Sequence, residues 1–166
     1  MIAAERNPEV RALAHQFEEA VQTLSALLER CSADQWRTIC PEEGWTVGVT
    51  AHHVAGSFRF IGSLIEALAA GNPLPEVTAA GINEGNARHA VKYADCDQGE
   101  TIAGLRAKGA VAAQLIAGLS DEQLENAAPF TLRSCHVTSA RRIIERMLIG
   151  HVESHRADIE AAIGSV

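Results

Sequence analysis

Aromatic side chains are scarce in this 166-residue chain, at 4%, and basic ones are outnumbered, with 14 Lys and Arg against 21 Asp and Glu. The net charge of −7 and a sequence pI near 5.5 leave no basic footprint for a phosphate backbone, and no aromatic platform for bases is present. Nucleic acid is therefore not an expected partner. No stretch approaches the ~20 apolar residues of a membrane span, and Met1-Ile2-Ala3-Ala4-Glu5-Arg6 lacks the basic start and apolar run of a signal peptide. The expectation is a cytoplasmic protein with no membrane partner. Cys31, Cys40, Cys96 and Cys135 include no C-x-x-C pair, so neither a zinc knuckle nor a redox dithiol is written here and the thiols read as reduced and structural. Internal repeats, low-complexity tracts and a second domain boundary are also missing, which leaves residues 1–166 as a single expected domain.

What the chain does have is helical periodicity. Hydrophobic residues make up 47% of it, enough for an ordinary core. Asn7 as N-cap and Pro8 at the first helical position open a helix whose Val10, Leu13, Ala14, Phe17, Val21, Leu24 and Leu28 share one face. A short turn is expected around Asp34 to Trp36. A second long helix starts after Thr46, its natural N-cap, and stops near Ala70 before Gly71-Asn72-Pro73. From Val77 to Asp95 runs a polar crossover with spacing for a short helix, followed by a third long helix from near Asp97 to near Leu119. Ser120-Asp121-Glu122-Gln123 starts a further turn, Pro129 to Val137 reads as extended or irregular, and Ser139 to Ile163 forms the last helix. Long amphipathic helices joined by one long crossover point to an all-α four-helix bundle.

The chemistry concentrates on histidines. His151 and His155 stand four apart in the last helix, hence one above the other, on a face shared with Ile144, Met147, Leu148, Ile159 and Ala162. Inward imidazoles are either core residues hydrogen-bonded to the backbone or half of a metal site, and a third ligand separates these readings. The second helix offers it. Val49, His53, Phe60 and Leu64 share its inward stripe, whereas His52 is rotated ~100° toward Gly48, Gly56, Arg59 and Ser63. His53 is therefore the expected third ligand. His15 falls on a polar helix face and His136 in a loop, and neither is given a role. Asn86 and His89 on the crossover read as surface residues or as groups reaching a bound ligand, and Asn86 is kept as the substrate-pocket candidate.

Gly44-Trp45-Thr46-Val47 followed by His53, then His151-Val152-Glu153-Ser154-His155-Arg156-Ala157-Asp158-Ile159, resembles the pattern of the DinB family of bacterial metal-binding proteins. The likeness spans nearly the whole chain, including the Ile82-to-His89 crossover and the Leu119-Ser120-Asp121 turn. It implies an up-down-down-up bundle, a homodimer, and a divalent ion held by His53, His151 and His155. The chain is also similar to the metal-binding domain of mycothiol-dependent maleylpyruvate isomerase, which shares Gly-Trp-Thr-Val. That enzyme's pattern has a glutamate where His151 stands here and continues into a further C-terminal domain, so isomerase activity is not expected.

Three imidazoles leave a coordination sphere open to water or a substrate atom. The ion, Zn or Ni by ligand type, could lower the pKa of a bound water and give a hydrolase, or hold a low-molecular-weight thiol as thiolate and give a thiol transferase acting on a small electrophile. The alternative is a non-catalytic metal- or ligand-binding stress protein that sequesters a small molecule. Asp158 is expected either behind a ligand or as a helix-end charge.

Overall fold

The structure is a computed structural model, and it describes residues 8–133 and 136–164. Its first helix, α1 (Pro8–Glu29), buries the predicted stripe from Val10 to Leu28; the expected cap Asn7 lies outside the described residues. Helix α2 (Ala33–Trp36) is the short turn, fixed by a reciprocal capping box between Ser32 and Gln35. Helix α3 (Val47–Ala69) begins where Thr46 Oγ1 accepts the Val49 N–H at 3.2 Å. It ends at Gly71, whose φ of +71° lets the Asn72 N–H reach the Ala67 carbonyl at 2.8 Å.

The crossover contains α4 (Ala79–Lys92), none of whose residues is fully buried, and leads into α5 (Gln98–Ala117), capped by Asp97. Because the α3-to-α5 connection is long enough to return along the bundle, α3 and α5 run the same way, and the four long helices are up-down-down-up. Helix α5 packs on α1 and α3, and the C-terminal helix packs on α3 and α1, so α1 and α3 face the core from opposite corners. Phe17 and Phe58 meet there edge to face, with ring centroids 5.2 Å apart.

Several details depart from sequence expectation. Beyond α6 (Asp121–Glu125), the stretch read as extended or irregular is extended and pairs into an antiparallel ribbon of β1 (Ala127–Phe130) and β2 (His136–Ser139), in which Pro129 faces Val137. A two-strand ribbon has free edges, so a proline without an N–H fits. His136 is thus an exposed strand residue opposite Phe130. The last helix is not uniform either: α7 (Ala140–Ile143) passes through wider π-helical turns at Ile144–Ile149 before α8 (Gly150–Ile163). The Gly150 N–H bonds the Glu145 carbonyl five residues back, and a Cβ on Gly150 would meet that oxygen at 3.3 Å.

Phe60, expected inside, is 37% exposed, while Val49 and Leu64 are buried as predicted. Two glycines of α3 are seats for neighbours. A Cβ on Gly62 would touch Leu115 of α5 at 3.6 Å, and one on Gly56 would touch the His89 ring of α4 at 3.4 Å. No helix of the described residues is long and apolar enough to cross a membrane. Cys31, Cys40 and Cys96 are free thiols, and Cys135 lies outside the described residues.

Candidate metal centre

The site is built where α3, α8 and the loop before α3 converge. In that loop the Cys40 N–H bonds the Trp45 carbonyl at 2.7 Å and the Gly44 N–H bonds the Cys40 carbonyl at 2.9 Å, closing a turn that needs φ +71° at Gly44. The Gly44-Trp45-Thr46 run has three separate jobs. Gly44 makes the turn, Trp45 packs edge-on against His53 with centroids 5.3 Å apart, and Thr46 caps the helix that carries His53. Gly48, one turn before His52, must stay small, because a Cβ there would lie 2.6 Å from the Trp36 indole.

His53, His151 and His155 come together as predicted, each offering a ring nitrogen, with the three donor atoms within 4.8 Å of one another. Their rings pair edge to face: His151 and His155 have centroids 4.4 Å apart, and His53 lies 5.1 Å from His151 and 5.2 Å from His155. Burial is the main cause that holds all three imidazoles neutral. His53 is pushed down to about 4, with the neighbouring His155 and His89 adding to the effect, and His151 is pushed down to about 3, helped by His155 and His53. His155 is also lowered by burial, against an opposing pull from Asp158. The buried Nε2 of His151 has no hydrogen-bond partner among the described residues. A desolvated lone pair or N–H left without a partner costs about 1–3 kcal/mol, and three neutral imidazole nitrogens, this ring's included, are the donor set of a late divalent cation. The residues fit such an ion.

Asp158 resolves as a buried structural carboxylate, 5% exposed, with Oδ1 accepting the Glu42 N–H at 2.9 Å and Oδ2 the Glu43 N–H at 3.2 Å. This clamp ties the loop to α8 one turn below His155 and sets Glu43 Oε1 3.7 Å from His155 Nδ1. Burial, then the charges of Asp158 and Glu42, raise the Glu43 carboxyl above its ordinary value.

His89 was legible in the sequence only as a surface or ligand-reaching residue, and it forms a second cluster. Its Nε2 lies 3.1 Å from His52 Nδ1, its ring is 5.6 Å from that of His53, and His52 stacks on Tyr93 at 3.8 Å. Burial, His89, Lys108 and Lys92 hold His52 down at about 4, so it is not a freely solvated residue. A groove of about 520 Å³ is lined by His52, Tyr93, Cys96, Thr101, Lys92 and Lys108, among others, but by none of the triad. Asn86 is half-buried three residues before His89 on α4 and is not among the clustered donors. His15 stays on the surface, 3.8 Å from Glu19. The four-residue spacing of His89 and Tyr93 was the available signal for the second cluster; the α4-to-α3 packing on Gly56 that brings His89 inward was not written locally.

Residues 17–160 match the family described as mycothiol maleylpyruvate isomerase N-terminal domain. No curated protein matches the chain. Among solved structures the chain is similar to YfiT from Bacillus subtilis, described as a probable metal-dependent hydrolase with an unusual four-helix bundle topology, at 18% identity and a TM-score of 0.74, covering 99% of this chain and 93% of that one. At that identity the likeness concerns the fold, whereas the family match runs from α1 to α8. The chain belongs to the mycothiol maleylpyruvate isomerase N-terminal domain family of DinB-like four-helix bundles.

Proposed function

We propose that His53, His151 and His155 hold one divalent ion, Zn or Ni by donor type, and that the chain uses it as a hydrolase or as a low-molecular-weight-thiol transferase acting on a small electrophile. The observation that carries this reading is the convergence of three neutral imidazoles with donor atoms within 4.8 Å of one another, one of which, His151, has a buried Nε2 without a hydrogen-bond partner among the described residues. When bound, the ion would supply Lewis acidity, making water or a thiol nucleophilic near neutral pH. The chain's own part is to keep the three rings unprotonated by burial, and to fix His53 through Trp45 and His155 through the clamped loop. His89 of α4 meets His52 of α3, Asn86 stands three residues before His89 on α4, and we assign Asn86 to the approach of the small-molecule substrate. The description of YfiT as a probable metal-dependent hydrolase supports the hydrolytic branch. A homodimer and a cytoplasmic setting are part of the same proposal, the first resting on the DinB resemblance.

The test uses tag-free protein loaded with zinc, nickel or cobalt and a panel of esters and alkylating electrophiles, with and without cysteine and other small thiols. Turnover that disappears on chelation and in His53→Ala is expected. A thiol-dependent change in the cobalt spectrum selects the transferase, and turnover without thiol selects the hydrolase. Full loading with no turnover of any substrate would replace catalysis by the sequestration of a small molecule.

A further inference from the structure

The loop before α3 does more than cap a helix, and its carboxylates are not equivalent. Asp158 spends both oxygens on the backbone N–H groups of Glu42 and Glu43, at 2.9 and 3.2 Å. Its position three residues after His155 in α8 ties the loop to the turn that carries a triad histidine. With that backbone pinned, the side chain of Glu43 is brought to 3.7 Å from His155 Nδ1, an imidazole that is itself only 6% exposed. Glu43 does not join the cluster of donors within 4.8 Å, which among the described residues consists of the three histidines. Its carboxylate thus stands behind one ring of the triad and outside the triad itself.

A histidine that donates a proton from one ring nitrogen to a carboxylate keeps the other nitrogen unprotonated and aimed, and a carboxylate in that place raises the basicity of the ring. We infer that Glu43 is the positioning residue of this site: its carboxylate, 3.7 Å from His155 Nδ1 and so one bridging water or a small side-chain rotation short of a direct hydrogen bond, takes up the Nδ1–H, fixes the ring and its tautomer, and leaves Nε2 as the donor toward a divalent cation. The inference rests on the triad binding a metal, as proposed above. Glu42 is its built-in control, since it has the same charge, is adjacent in sequence and has its backbone in the same clamp, while the carboxylate within ion-pair distance of His155 is that of Glu43. Glu43 is 34% exposed at its side chain, so replacing it leaves the core intact.

Zinc affinity is measured by competition with a chromophoric chelator for the wild type, Glu43→Ala, Glu43→Gln and Glu42→Ala, alongside melting of each protein without metal. Glu43→Ala is expected to weaken zinc binding roughly 10–100-fold. Glu43→Gln, which keeps an oxygen acceptor for the ring N–H, should recover part of that loss, Glu42→Ala should bind like the wild type, and the metal-free melting temperatures should coincide. Equal affinity for wild type and Glu43→Ala overturns the inference while leaving the metal site standing. A loss of the same size in Glu42→Ala overturns it as well, because only total charge would then matter. A wild-type chain that binds no zinc, nickel or cobalt instead removes the metal reading beneath it.

Discussion

Acidification of the metal-free chain should cost stability in a window set by its histidines. Two imidazoles decide it: burial, with repulsion from His155, His89 and His52, holds His53 at about 4, and burial, with repulsion from His155 and His53, holds His151 at about 3, against an ordinary value of 6.5. Above pH 6.5 both the folded and the unfolded chain hold these rings neutral, and nothing is lost. As pH falls below 6.5 the unfolded chain takes up protons that the folded one refuses, so stability declines with pH until the folded values are reached. At pH 5 each shift costs about 2 kcal/mol. The repulsion from His53 is counted within the His151 shift and is absent while both rings are neutral, so their joint cost is about 3 kcal/mol rather than the full sum. For a domain of this length that corresponds to a fall in Tm of roughly 6–12 °C. The assay is thermal melting by circular dichroism of chelator-treated protein at pH 7 and pH 5, for the wild type and for a His53→Gln, His151→Gln double variant. The difference between the two proteins isolates the imidazoles from the carboxyls, which titrate in both. The wild type should lose about 3 kcal/mol more than the variant over this interval. Parallel losses would refute the claim that desolvation sets the protonation state of the site.

Other outcomes follow from individual contacts. Gly48→Ala places a Cβ 2.6 Å from the Trp36 ring and should lower stability in urea unfolding by about 1–3 kcal/mol; an unchanged midpoint would mean that the indole yields freely. Asp158→Asn replaces a charged acceptor of the Glu42 and Glu43 N–H groups and should cost about 1–3 kcal/mol, with faster amide exchange at those two positions; exchange as slow as in the wild type would refute the clamp. Light scattering at micromolar concentration should give the mass of a dimer, and a monomer would defeat that part of the proposal.

The long helices and the triad were legible because both are written as local periodicity. Four-residue spacing places His151 over His155, and the Val49–His53–Leu64 stripe separates His53 from His52, which differ by one position and about a quarter turn. Caps were equally local, as at Thr46 and Ser120. What periodicity could not supply were the contacts made by chain segments distant in sequence. Asp158 reaches Glu42 across 116 residues, and His89 reaches His52 across 37. Phe60 continues the sequence stripe, yet the bundle turns it outward, whereas Gly56 and Gly62 turn out to be packing seats for His89 and Leu115. The ribbon at Ala127–Ser139 was obscured by Pro129, which is a poor strand residue except where an edge is free. The π-helical turns before His151 have no sequence signal beyond Gly150, whose missing Cβ admits the Glu145 carbonyl.

Binding of one ion by three histidines from two helices is read out by metal content, measured by mass spectrometry of tag-free protein. After exposure to zinc, nickel or cobalt and removal of excess, the wild type should carry about one ion per chain. His52→Ala, His15→Ala and His136→Ala should keep it, and the His151→Ala, His155→Ala double variant should lose it. Full occupancy in that double variant, with its fold verified by circular dichroism, would contradict the account.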